Sequence, residues 1–131
     1  MDQTELLESY NQSPLAQALG LVVTHLEPGR ARVSLTLRPQ FANWFGMLHG
    51  GIVMTLADHA FGCATNTLEG RFVAIEFNIY FLASPPLEGQ LFAEAIVEHG
   101  GRRLSQAKME VTDERGRVIA RASGLVMATA R

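Results

Sequence analysis

From Gly50 to Leu68 the chain reads "GGIVMTLADHAFGCATNTL", without a proline and with one fully charged residue, Asp58. The stretch is too long for an ordinary strand, and its apolar residues fall almost all the way round a helix. It therefore predicts a helix buried on most sides, which the rest of the chain must wrap.

The flanking sequence has the pattern of a wrapping sheet. Residues 21 to 37 form two apolar runs around Pro28-Gly29, the second alternating Ala31, Val33, Leu35 and Leu37 against polar neighbours, as in a half-buried hairpin with a solvated outer face. After Gly70 the period is again two, with Val73, Ile75, Phe77, Ile79 and Phe81 expected on one face and Glu76 on the other. Residues 89–98, 103–113 and 117–129 read as three further strands, separated by the turn formers "HGG" and "DERG". Ahead of all this, Ser13 as N-cap, Pro14 and Gly20 bracket a short helix over 13–19, with something looser at 3–10 and little to say about Tyr10 beyond a place over a pocket mouth. The order β-β-α-β-β-β-β gives one antiparallel sheet with a single apolar face and one helix to cover it. The expectation is an α+β fold whose sheet curls round the helix, as a single domain over 1–131.

Composition removes several classes of function. Charged residues are 18% of the chain, and 11 basic against 13 acidic leave a net charge of -2, so no basic field favours nucleic acid or anionic lipid. The acidic, polar N-terminus has no apolar core of a leader and no stretch is long enough to span a bilayer, which points to a cytoplasmic protein without a membrane partner. Cys63 is the single cysteine, and neither a CxxC nor a Cys/His cluster offers a metal site; His25 and His99 have no ligand spacing. No cofactor is expected.

Asp58 then needs a reason, because a buried carboxylate costs several kcal/mol unless it is paired, hydrogen-bonded or doing chemistry. One reading is structural, with the carboxylate satisfied by backbone or by a hydroxyl such as that of Thr55. The other is functional, and its companions are Asn43, His49 and the Gly50-Gly51 pair, where a loop becomes the helix. A helix start carries free N–H groups that welcome an oxygen gaining negative charge, and glycines let a ligand reach that backbone. His49 and Asp58 are nine residues apart, roughly 13 Å along the axis and on opposite sides of the helix. They cannot share a site within one chain. Two copies with antiparallel central helices would bring them together twice, at an obligate dimer interface.

The string Asn43-x-x-Gly46-x-x-His49-Gly50-Gly51, followed by Leu56-Ala57-Asp58, resembles the hotdog-fold acyl-CoA thioesterases of the phenylacetic-acid-degradation type, and the likeness runs from about residue 13 to 129. That resemblance implies a hotdog fold and hydrolysis of an acyl-CoA, with an aryl or medium acyl group, by a homodimer or a dimer of dimers. It implies that the Gly50 amide binds the thioester oxygen, helped by Asn43 and His49, and that Asp58 of the other subunit activates water or attacks the carbonyl. The chemistry suits a thioester, since an oxyanion donor and a base are needed on opposite sides of a flat carbonyl and the thiolate leaves readily without a metal or a strong acid. One departure stands out. Many relatives place a serine or threonine in the strand after the helix to hold the water, and "FVAIEFNIY" puts Ala74 there.

Other residues carry weaker signals. Trp44 and Phe45, with Phe41 and Met47, either cap the core edge or line an acyl pocket, and Phe61 either packs the helix or walls that pocket. Arg102 and Arg103 in "HGGRRL" read as solvated turn residues or as contacts to coenzyme A phosphates. His59 and Cys63 share a helix face but are more simply a core pair than a nucleophile and its base. A non-catalytic acyl-CoA-binding module is the alternative, whereas a transcription factor lacks room for a DNA-binding unit. Enoyl hydration lacks the right Asp–His spacing, Asp58 and His59 diverging by about 100°.

Overall fold

The computed structural model describes residues 2–129. Two short helices, α1 (Gln3–Asn11) and α2 (Pro14–Leu19), lead into strands β1 (Leu21–Glu27) and β2 (Arg30–Thr36); a 3-10 turn (Pro39–Phe41) and a loop then precede the long helix α3 (Gly50–Thr65). Strands β3 (Phe72–Phe81), β4 (Gln90–Gly100), β5 (Leu104–Asp113) and β6 (Val118–Ala128) complete a six-stranded antiparallel sheet in the order β1-β2-β4-β5-β6-β3. The sheet wraps α3, and the arrangement is the expected hotdog fold.

Side-chain size explains how closely the layers meet. Ala93, Ala95 and Ala107 are fully buried on the strands facing the helix, and Ala57, Ala60 and Ala64 are fully buried on α3. Small residues on both surfaces let the layers approach, while Leu35, Leu56, Leu91 and Phe61 fill the space between. The outer sheet face is solvated and laced with cross-strand pairs such as Arg121–Glu110 at 3.1 Å and Arg32–Glu94 at 3.7 Å, which add little stability at such exposure.

Three expectations need correction. Residues 3–10 are not loose but lie in α1, where the Asp2 carboxylate accepts the Glu5 N–H at 2.8 Å; the helix buries no residue fully, so its sequence carries almost no apolar stripe. Ser13 does occupy the N-cap position of α2, although its hydroxyl donates backward to the Tyr10 carbonyl. Second, α3 stops at Thr65 with Asn66 as its C-cap, and although it is buried on most sides as expected, Gly51, Met54 and Asp58 form an open stripe in the single chain. Third, the stripe from Val73 to Phe81 is split by a bulge between Ala74 and Glu76. An extra residue on one strand reverses which side faces in. Ala74, Phe77, Ile79 and Phe81 therefore pair across from Val126, Gly124, Ala122 and Ala120 on β6, and Val73 and Ile75 are left about half exposed.

Candidate active site

The loop before α3 is fixed by its own short-range hydrogen bonds. Asn43 Oδ1 accepts the N–H groups of Phe45 and Met47 at 2.9 and 3.0 Å, and a bridge between Ala42 and Leu48 closes the loop. Gly46 takes φ +81°, a left-handed conformation that glycine adopts without strain. With its oxygen committed, the Asn43 amide nitrogen is the free end of that side chain, with no bond among the described residues. Phe41 and Leu48 are buried beneath, so they and not the neighbouring aromatics seal the core. Trp44 is 86% and Phe45 67% exposed, stacked with ring centroids 3.8 Å apart.

At the helix start His49 is the N-cap, and its Nδ1 accepts the Gly51 N–H at 2.8 Å. A neutral imidazole accepting at Nδ1 carries its proton on Nε2, which makes exposed His49 a second donor at the site. Gly51 is required for the cap, since a Cβ there would lie 2.9 Å from the His49 Nδ1. Ile52 N–H returns to the His49 carbonyl at 3.0 Å. Gly50 N–H is thus the first-turn donor left without a protein partner among the described residues, at the positive end of the helix dipole. The Phe81 ring lies over Gly50, 3.3 Å from where a Cβ would stand. Its place so close to the helix start could not be read from the strand pattern.

Asp58 lies two and a half turns further along, on the open stripe. Thr55 is not its partner, because that hydroxyl donates to the Gly51 carbonyl at 2.7 Å. Among the described residues no hydrogen bond reaches the carboxylate, so the structural reading of Asp58 loses its support. Partial burial pushes the carboxyl above its ordinary pKa. Beside it is a half-open cavity of about 240 Å³ lined by Tyr10, His59, Phe61, Asn66, Phe72 and Ala74, among others. Ala74 therefore does stand next to Asp58, on the inward side that the bulge creates. The other hydroxyl in the wall, Thr65, is spent on the carbonyls of Phe61 and Gly62.

The structure thus brings Asn43, His49, Gly50 and Gly51 together and keeps Asp58 apart from them in one chain. Phe61 is fully buried against Phe77 and also lines the Asp58 cavity. Cys63 is fully buried and its thiol is pushed far up by burial, and the His59 imidazole is held below its usual value; neither suits nucleophilic chemistry. His59 Nε2 is buried without a hydrogen bond, its ring edge-on to Tyr10 at 5.3 Å. Arg102 and Arg103 are exposed in the β4–β5 turn, whose Gly100 packs on Leu68 beyond the far end of α3. Among the described residues no group of His, Cys, Asp and Glu could hold a metal, and no helix is long and apolar enough to cross a membrane. Sequence reasoning missed Asn66, Phe72 and Phe81, for which only contacts distant in the chain give a signal.

Comparisons with known proteins agree on one family. A model described as the thioesterase superfamily matches residues 45–120. The chain is 31% identical over 111 residues to the acyl-coenzyme A thioesterase PaaI of Escherichia coli K12, covering 85% of this chain and 79% of that one. It is 32% identical over 103 residues to the 1,4-dihydroxy-2-naphthoyl-CoA hydrolase of Listeria monocytogenes, covering 76% and 83%. The solved structure of the E. coli PaaI protein from the phenylacetic acid degradation operon superposes with a TM-score of 0.93 at 27% identity, over 98% of this chain and 94% of that chain.

Proposed function

The chain belongs to the thioesterase superfamily, and from that membership we propose that it hydrolyses acyl-CoA thioesters, with an aryl or medium acyl group, at a site shared between two copies of itself. The observation that carries the reading is the Gly50 N–H beside the His49 cap, without a partner among the described residues, on a helix whose open stripe holds an Asp58 carboxylate equally without one among them. Each half lacks what the other offers.

A second copy supplies the missing half. Strand β3 pairs with β6 on one side only, and it and the residues just after it expose Val73, Ile75, Tyr80, Phe81 and Leu82. A long apolar edge of this kind is a template for another strand. Antiparallel pairing of β3 with its twofold mate would join the two sheets and set the two α3 helices side by side in opposite directions, covering Met54 and the open stripe. The helix start of one copy then faces the middle of the other, and further association into a dimer of dimers would use the outer sheet face.

In that arrangement the thioester oxygen accepts from Gly50 N–H, with His49 Nε2–H and the Asn43 amide as neighbouring donors. The partner's Asp58 takes a proton from water as its oxygen bonds to the carbonyl carbon, or adds to that carbon itself. The intermediate then collapses, the C–S bond breaks, and the coenzyme A thiolate leaves and is protonated; where Asp58 itself has added, water then cleaves the resulting anhydride to the free acid and the Asp58 carboxylate. Desolvation makes Asp58 a stronger base than a free aspartate, which suits either role. Gly51 keeps the cap in place, Trp44 and Phe45 offer apolar surface to the ligand, and Phe61 walls the acyl cavity. Arg102 and Arg103 pair with the phosphates of coenzyme A.

The test is thiol release from a panel of acyl-CoAs together with sedimentation of the protein. Turnover by a dimer supports the reading, and a monomer with full activity removes the shared site. Ala74 beside Asp58 favours one rival, an acyl-CoA-binding module without a held water. Tight binding with no thiol release across the panel would select it.

A further inference from the structure

Along α3 the residues Asp58, Gly62 and Asn66 are four apart, so they stack on one face and climb toward the helix end, roughly 6 Å per step at 1.5 Å per residue. An acyl group whose carbonyl carbon sits at Asp58 has this face as one wall. Its path runs into Tyr10. The phenol oxygen accepts a hydrogen bond from the Asn66 side-chain nitrogen at 3.2 Å and lies 3.3 Å from where a Gly62 Cβ would stand. Asn66 in turn accepts the Phe72 N–H at 3.0 Å and donates to the Gly62 carbonyl at 2.9 Å, so the barrier is braced by both α3 and β3.

We propose that Tyr10 sets the size limit of the acyl group by closing the cavity one to two helical turns beyond Asp58. The inference rests on the thioesterase reading and adds a residue to it that lies outside the family match at 45–120. The half-open cavity of about 240 Å³ is just under the ~300 Å³ at which pockets for drug-sized ligands begin, room for a ring or a medium chain. Burial pushes the phenol well above its ordinary pKa, so the Tyr10 side chain that lines the cavity stays neutral.

The plug is also separable from the core. No residue of α1 is fully buried, and the helix is independently moored by Asn11, whose Oδ1 accepts the Val23 N–H at 2.7 Å. Shortening Tyr10 therefore opens the cavity toward α1 without removing a core residue. Gly62 completes the fit, since any side chain there would press on the phenol oxygen.

The experiment compares wild type with Tyr10→Ala, Tyr10→Leu and Tyr10→Phe. The readouts are kcat/KM for linear acyl-CoAs of increasing length and binding of the matching non-hydrolysable S-alkyl-CoA thioethers, with thermal melts to show that each variant is folded. Expected is a longer limit in Tyr10→Ala and Tyr10→Leu, the ratio of long-chain to medium-chain kcat/KM rising by roughly tenfold or more. Tyr10→Phe, which keeps the ring, retains the wild-type limit. A limit unmoved in whichever of the Ala and Leu variants folds overturns the proposal. If wild type releases no thiol at all, the thioesterase reading fails by itself. The thioether series then decides for Tyr10: a shifted length limit upholds it, and an unshifted one or no binding sinks it.

Discussion

The start of α3 and its middle hold the two halves of the proposed chemistry. At the start, the side chains of Asn43 and His49 bond to backbone N–H groups two to four residues away, and the hydrogen bonds that shape the loop lie within the short segment from Phe41 to Ile52. In the middle, the Asp58 carboxylate has no hydrogen bond among the described residues, and its surroundings come from far along the chain, the Tyr10–Asn66 contact spanning 56 residues. A donor that must sit still is built by rigid local structure. The proposed base, which would meet water and a substrate held by another protomer, stands on the open face and is partly desolvated. The contrast implies that damage to the middle should remove chemistry while sparing the fold, and damage to the start should cost both in smaller amounts.

The sharpest way to break this comparison is Asp58→Asn. The variant keeps the shape and removes the base, so thiol release should fall by about 10³-fold or more. Its thermal midpoint should be no lower than that of wild type. The carboxyl is raised by burial, so the fold disfavours its ionised form, and a neutral amide removes that cost. A variant that retains turnover would take Asp58 out of the mechanism; one that unfolds would return it to a structural role.

At the helix start the expected losses are smaller. Asn43→Ala removes both the free amide and the oxygen that holds Phe45 and Met47, and kcat should drop by about 10²-fold. Gly51→Ala should fall by roughly tenfold, through the His49 cap alone. Alanine in a helix ordinarily stabilises by about 0.5–1 kcal/mol over glycine, but here its Cβ would meet the imidazole at 2.9 Å and loosen a cap of about 1 kcal/mol. Calorimetry should therefore find no gain in stability. A stabilised and fully active Gly51→Ala would show that the cap does not position the donor.

The same contrast explains what could be read from the sequence. The glycines, the N-capping histidine and the Asn43 loop act over a few residues, so their spacing alone locates the donor site. The sheet and its strand boundaries follow equally from period-two alternation and turn formers. What escaped depends on long-range contact. The bulge at Ala74/Glu76 shifts β3 by a residue with no glycine to announce it, and so the apolar stripe from Val73 to Phe81 was expected on one face. The helix α1 buries too little to show a pattern, and its Tyr10 gains meaning only beside Gly62 and Asn66. Asp58 looked buried because its neighbours are apolar, whereas their open face is suited to be covered by a second copy.

The mildest expected effect is on the pH profile, which separates the two regions. The proposed mechanism needs the Asp58 carboxylate, so kcat/KM should be full above its pKa and fall as pH drops through it. Because burial raises that pKa, the fall should come at a higher pH than the ~3.9 of an exposed aspartate. The groups around it confuse the reading little. Tyr10 and Cys63 are pushed far up and stay neutral on this side, while His59, which lines the same cavity, is held below its usual value. His59→Gln cannot titrate and should leave the acid limb where it is. Asn43→Ala should lower the whole curve without moving the limb, since it acts on the oxyanion and not on the base. A limb that shifts with His59→Gln would assign the titration to the imidazole, and the division of labour along α3 would have to be redrawn around it.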